Sequence, residues 1–79
     1  EITNVDVIID DGGHRINEQI NTFNNFYHRL NPGGLYIIED IQDLDKDREK
    51  LLNLSENVNI HDRRKVNNRS DDVIVTIKK

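Results

Sequence analysis

The hydrophobic positions of this chain follow two different rhythms. Val5, Val7, Ile8 and Ile9 form a short apolar run broken only by Asp6, and Leu35-Tyr36-Ile37-Ile38 forms a second. Compact runs of β-branched and aromatic residues, bounded by glycines or acids, predict buried strands. Between the two runs, Ile16, Ile20, Phe23, Tyr27 and Leu30 recur at steps of four, three, four and three. That spacing is one face of a helix with 3.6 residues per turn. Asn31-Pro32-Gly33-Gly34 predicts where the helix stops, with Asn31 in a left-handed capping conformation and Pro32 unable to continue it. A strand, a helix and a strand of this length make a βαβ unit, whose two strands run parallel.

The second half of the chain has a weaker pattern. Residues 45–55 read as a helix with Leu44, Leu51 and Leu52 on its apolar stripe and Leu54 close by, interrupted by Arg48 and Ser55. Asp45, Asp47 and Glu49 suit its N-terminal turns, and Asn57 is a plausible terminator. Val58-Asn59-Ile60 alternates like a short strand. Residues 61–70, with Arg63, Arg64, Lys65 and Arg69, read as a polar loop. Val73 to Ile77 predicts a last strand. No helical period separates the last two strands, so they are expected to form an antiparallel hairpin. The fold class is therefore α/β, in the order β-α-β-α-β-β, with parallel strands followed by a terminal antiparallel hairpin. No internal repeat or low-complexity segment is present.

Composition narrows this picture. With 79 residues, 34% hydrophobic and 33% charged, the chain makes one small domain with a thin core; a chain of this size buries only about 60% of its unfolded surface. A strand apolar on both faces calls for helices above and below it, and the chain supplies few. The expectation is a partial domain over residues 1–79, cut from a larger α/β protein. The net charge of −4 argues against a general nucleic-acid binder, which shows a basic face. The absence of cysteine excludes a disulfide framework, a thiolate metal site and a cysteine nucleophile. No apolar run approaches the roughly 20 residues of a membrane span, and the first residues do not read as a signal peptide. A soluble cytoplasmic protein is the expectation.

The chemistry gathers where the first two strands end. Asp10-Asp11-Gly12-Gly13-His14 follows the first and Glu39-Asp40 the second. In a parallel pair both ends lie at one edge of the sheet, which is where open α/β sheets bind ligands. Asp11, His14, Glu39 and Asp40 thus share one neighbourhood, although 28 positions (39 − 11) separate the first acid from the pair. Oxygen donors of this kind suit Mg²⁺, which takes a few carboxylates and retains waters. Asp11, Glu39 and Asp40 are the candidate metal ligands. His14 is the candidate general base, its ordinary pKa lying near neutrality. A bound metal would orient a substrate's oxygens and acidify a hydroxyl. Plainer roles stand beside these. Acids at strand ends cap helices and solvate loops, Asp11 can serve only as a cap, His14 can be a surface residue, and Arg63-Arg64-Lys65 can be a solvated turn.

The run Asp6-Val7-Ile8-Ile9-Asp10-Asp11-Gly12-Gly13-His14, the helix bearing Gln19 and Phe23, and the run from Leu30-Asn31-Pro32-Gly33-Gly34 to Glu39-Asp40 together resemble a known family. They look like the C-terminal half of a class I S-adenosylmethionine-dependent methyltransferase with a Rossmann-like fold. More narrowly, they are similar to the macrocin and mycinamicin sugar O-methyltransferases and to cephalosporin-hydroxylase-like relatives. The likeness covers about Val5 to Ile41, and more weakly the tail. The turn Leu-x-Pro-Gly-Gly is shared widely among class I methyltransferases, whereas the Asp-Asp-Gly-x-His turn followed by Ile-Glu-Asp is far more specific. The resemblance implies Mg²⁺ on Asp11, Glu39 and Asp40, with His14 deprotonating a sugar or other small-molecule hydroxyl for methylation by S-adenosylmethionine. It also implies the strand order first, second, fourth, third, with the fourth antiparallel. Gly13 stands where relatives often carry Ser. The family's cofactor-binding N-terminal half has no counterpart here, and no residue of this chain is assigned to binding the cofactor. The fragment alone is expected to be inactive, and the open edge of its first strand to favour a homo-oligomer or an unstable chain. The other reading is a non-catalytic α/β assembly module with structural acids.

Overall fold

The computed structural model describes residues 5–10, 15–67 and 73–79. Among the described residues, four strands and three helices follow one another as β1 (Val5–Asp10), α1 (Ile16–Phe26), β2 (Leu30–Ile38), α2 (Leu44–Leu52), β3 (Val58–Asp62), the single turn α3 (Arg64–Asn67) and β4 (Val73–Lys78). A 3-10 turn, Tyr27–Arg29, joins α1 to β2. The strands form one mixed sheet in the order β1-β2-β4-β3. β1 and β2 are parallel, while β4 runs antiparallel to both β2 and β3. This is an α/β sheet with the expected strand order and terminal hairpin. Among the described residues no helix is long and apolar enough to cross a membrane.

Strand alternation decides where the core lies. Tyr36 pairs with Ile77 and Ile38 with Val75, so these four side chains share one face of the sheet. All four are fully buried. Phe23 of α1 meets the Tyr36 ring edge-on, with 5.0 Å between centroids. Leu44 and Leu51 of α2, together with Ile41 and Val73, complete the same core. The opposite face carries Val7, Ile9, Leu35, Ile37, Ile74 and Thr76, and none of these is fully buried. The sequence predicts β1 as a strand buried on both sides. In the structure only Asp10 of β1 is fully buried, and Val7 and Ile9 are 52% and 60% exposed.

The join between α1 and β2 differs from the sequence expectation. The helix ends at Phe26, and Leu30 is already the first residue of β2 rather than the last of the helical face. Asn31 therefore lies in extended strand, not in a left-handed cap, and its Nδ2 donates to Asp6 Oδ1 at 2.9 Å. The left-handed residue of this segment is Gly33, with φ of 84°. Gly34 is held by close approach, since a Cβ there would come within 2.7 Å of Leu30 Cδ1. Lys79 replaces the expected cap. Its Nζ donates to the carbonyls of Leu30 (2.7 Å) and Tyr27 (3.3 Å), the latter also accepting from the Leu30 backbone N–H.

The α2 helix also begins and ends earlier than expected. Asp43 caps it, accepting from the Lys46 N–H at 3.3 Å, and it closes at Asn53 rather than near Asn57. Its inward positions are Leu44, Asp47 and Leu51, at steps of three and four, while Leu52 is 45% exposed. Residues 61–67 are not a plain loop. His61 and Asp62 complete β3, and α3 follows. There Asp62 accepts from the backbone N–H of Arg64 at 3.1 Å and from its guanidinium at 2.7 Å, and Arg64 also reaches Asp45. The turn that composition marks as solvated is pinned by this pair of carboxylates.

Candidate functional site

The candidate site begins at the carboxyl edge of β1 and β2. Asp10 pairs with Ile38 at the last rung of the parallel ladder. One residue further on, the Glu39 N–H donates to the Asp10 carbonyl at 3.2 Å. The two strands thus end side by side, as the βαβ reading requires. Glu39 and Asp40 lie between two anchors, Ile38 and Ile41, both buried in the core. They are themselves half-buried. Neither carboxylate has a hydrogen-bond or ion-pair partner among the described residues. Asp40 holds a φ of 59°, a left-handed conformation that asparagine and aspartate tolerate better than other non-glycine residues. The reversal there turns the chain out of β2 and down to Ile41.

Asp11 and His14, the other two candidate residues, lie outside the described residues, and Asp11 follows Asp10 directly in sequence. Of the four, the structure places Glu39 and Asp40 together and joins them through the backbone to the end of β1. Among the described residues no group of three or more histidine, aspartate or glutamate side chains is close enough to hold a metal by itself.

Beneath this edge is a buried polar layer that the sequence reading does not single out. Asp10 is 6% exposed, and Gln19 of α1 is also buried. The Tyr36 hydroxyl is buried without a hydrogen-bond partner among the described residues. Burial pushes the Tyr36 phenol up to about 12, and the nearby Asp10 carboxylate adds to the shift. The signal for Asp10 was its parity. It alternates with Ile8 and is the partner of Ile38, which places it on the core face rather than in the turn.

Two known proteins are similar to part of this chain. Over 38 residues, 48% of the chain, it is 47% identical to the 8-demethyl-8-alpha-L-rhamnosyl tetracenomycin-C 2'-O-methyltransferase of Streptomyces olivaceus. Over 37 residues, 46% of the chain, it is 51% identical to the demethylmacrocin O-methyltransferase of Streptomyces fradiae. These stretches are 10% and 9% of the two relatives, so the match spans about a tenth of their length. No family model and no solved structure matches. Just under half of this chain is therefore a methyltransferase-like stretch, carried on a small mixed α/β sheet.

Proposed function

We propose that this chain is part of an S-adenosylmethionine-dependent, Mg²⁺-assisted O-methyltransferase of Rossmann-like fold, acting on a sugar or another small-molecule hydroxyl. The observation that carries the reading is the pair Glu39-Asp40. Two adjacent carboxylates stand without partners among the described residues, at the carboxyl edge of a parallel strand pair and on a backbone turned through a positive φ. Three other acids have structural roles: Asp43 caps α2, and Asp62 and Asp45 hold Arg64. Glu39 and Asp40 do none of this. A conformation of this kind at a ligand edge is where local strain and function tend to coincide. The names of both relatives, each an O-methyltransferase, support the reading from an independent side.

The donor set fits a hard divalent cation in its chemistry, since carboxylate oxygens are what Mg²⁺ selects. Glu39, Asp40 and Asp11 would hold it. When bound, the ion supplies Lewis acidity and a fixed orientation for neighbouring hydroxyl oxygens. Within this reading the chain's own part is to present the carboxylates on short, buried strand ends and to place His14, three positions beyond Asp11, as the group that accepts the hydroxyl proton. The methyl donor would be held by parts of a longer protein, as no residue of this chain is assigned to it.

A Mg²⁺ titration of the chain, followed by backbone and side-chain NMR shifts, tests the metal assignment. Shifts confined to Asp11, His14, Glu39 and Asp40, and lost in Glu39→Gln, are expected. A folded chain whose spectrum does not respond to Mg²⁺ overturns the assignment and favours acids with a purely structural role.

A further inference from the structure

A group of cations lies at the same sheet edge as Glu39 and Asp40. Both β2 and β3 run antiparallel to β4, so they are parallel to each other. Ile38 and Ile60 are both paired with Val75, which puts the three in one row across the sheet. Two strand spacings of about 4.8 Å, roughly 10 Å in all, separate Ile38 from Ile60. Glu39 and Asp40 follow Ile38, and β3 runs on from Ile60 to Asp62 in the same direction. Arg63, Arg64 and Lys65 therefore leave the sheet at its carboxyl edge, on the side of β2 away from β1.

These three residues do not share one role. The Arg64 guanidinium is committed, to Asp62 at 2.7 Å and to Asp45 at 3.3 Å. Asp62 also accepts from the Arg64 backbone N–H, and the Arg63 carbonyl accepts from the Val66 N–H at 3.1 Å. Asp45 belongs to the first turn of α2, so the ion pair ties α3 to the helix that the acidic pair leads into. Arg63 and Lys65, on either side of Arg64, are exposed and pair with no carboxylate among the described residues. Beyond the Arg64 contacts, the charge of Arg48 on α2 also helps hold the Asp62 carboxyl low. Four cations thus stand against Asp45 and Asp62 in this corner, although the whole chain has a net charge of −4.

Two unpaired acids and two unpaired bases therefore share one edge without meeting each other. Charges of opposite sign held two strand spacings apart suit a ligand with two kinds of group: hydroxyls for a metal held by the acids, and an anion for the cations. We propose, on the reading that Glu39 and Asp40 hold Mg²⁺, that Arg63 and Lys65 recognise an oxyanion on the acceptor, which makes the substrate a sugar acid or a sugar phosphate. Arginine forks onto two oxyanion oxygens, and lysine adds a mobile point charge. Their long side chains shorten the gap between the strand ends toward the width of one sugar ring. Holding the acceptor at two points fixes which of its hydroxyls reaches the metal. The β4 register and the Arg64 ion pairs set these positions, at the side of the sheet away from β1.

NMR titration of the 79-residue chain with glucose 6-phosphate, glucuronate and methyl glucoside, each with and without Mg²⁺, tests the proposal. At least one of the two anionic sugars is expected to shift the Arg63 and Lys65 resonances, and the neutral glycoside is not; the stronger of the two decides between phosphate and carboxylate. Mg²⁺ should tighten that binding about fivefold or more, the low end of coupling between two sites, and the sugar should then shift Glu39 and Asp40 as well. Combining Arg63→Gln with Lys65→Gln, both at exposed positions, should weaken anion binding about tenfold or more, while Mg²⁺ alone still shifts Glu39 and Asp40. A chain that responds to Mg²⁺ but to neither anionic sugar overturns this inference and leaves the metal reading standing. A folded chain silent to Mg²⁺ removes the metal reading and the acceptor role with it, even where the anions bind. Inorganic phosphate that shifts the same cations as strongly as the sugar phosphate, with no effect of Mg²⁺, marks an adventitious ion only and overturns the proposal too.

Discussion

The backbone N–H of Glu39 donates to the carbonyl of Asp10 at 3.2 Å, one step beyond the last regular rung between β1 and β2. That bond ties the start of the acidic pair to the end of the other parallel strand. The carboxylates then extend from a fixed base, since Ile38 before them and Ile41 after them are buried. Glu39→Gln and Asp40→Asn are expected to keep this backbone geometry while each weakens Mg²⁺ binding by at least about tenfold, the scale of losing a charged oxygen donor. Unchanged metal-induced NMR shifts in both variants would remove these residues from the ligand set.

Asp40 permits a second test that needs no metal. Its φ of 59° is adopted at a cost by any residue with a Cβ, and glycine adopts it freely. Asp40→Gly should therefore stabilise the apo chain, or at worst leave it unchanged, with a gain of up to about 1 kcal/mol in urea unfolding. The same variant should lose Mg²⁺ affinity. Stability and binding moving in opposite directions is the signature of a residue kept for its carboxylate. Clear destabilisation by glycine would mean that the side chain itself supports the turn.

The core makes a simpler prediction. Phe23 stacks on Tyr27 at 4.6 Å and meets Tyr36 edge-on at 5.0 Å, and it is the aromatic link between α1 and the sheet. Phe23→Ala should cost about 3–5 kcal/mol. A domain this small has little margin, so the variant is expected to lose its cooperative thermal transition. Retention of a sharp transition near that of the parent would show that α1 contributes little to the core.

Arg64 is bound to Asp62 at 2.7 Å and to Asp45 at 3.3 Å. The Arg64 side chain, followed by its backbone N–H, lowers the Asp62 carboxyl from the usual 3.8 to about 2. A depressed carboxylate pKa gives stabilisation that is complete above the unfolded value and fades as pH falls toward the folded one. The loss should therefore fall between about pH 4 and pH 2, and it should be small because the pair is on the surface. In Arg64→Ala the Asp62 carboxyl titration, read by NMR, should return toward 3.8. A midpoint still near 2 would place the cause elsewhere.

The sequence was most readable where pattern and packing agree. The 3.6-residue recurrence of Ile16, Ile20 and Phe23 marks α1, and the apolar runs ending at Asp10 and Ile38 mark the parallel pair, because burial on one side demands those residues at that period. The α1–β2 join was misplaced because Leu30 satisfies both rhythms. It falls on the helical stripe, yet its backbone is extended and paired opposite Val5. Lys79, whose ammonium binds the Leu30 carbonyl, stands 49 positions away, so no local signal reveals that contact. Leu52 was placed on the inner stripe by hydrophobicity alone, whereas the helical step from Leu44 leads to Asp47, a buried carboxylate 7% exposed. For the candidate site, parallel strand ends sufficed to bring Glu39 and Asp40 to the end of β1. The burial of Asp10 followed from its parity with Ile8, a signal that was present but outweighed by its acidic neighbours.

Tyr36 closes the set. Its hydroxyl is buried without a hydrogen-bond partner among the described residues, and burial, followed by the charge of Asp10, pushes its pKa up from 10 to about 12. A group whose folded pKa is raised above its unfolded value adds stability that is complete below the unfolded pKa and lost as pH climbs through the folded one. The chain should therefore weaken between about pH 10 and pH 12, as the unfolded tyrosine ionises before the folded one. Tyr36→Phe removes the ionising group and should flatten this alkaline limb. At neutral pH the same change should be nearly neutral or mildly stabilising, because it deletes a polar atom that is buried and unsatisfied. A loss of more than about 1.5 kcal/mol at pH 7, beyond the usual worth of one neutral hydrogen bond, would show that the hydroxyl has a partner in solution, with the Asp10 carboxylate the first to test through Asp10→Asn.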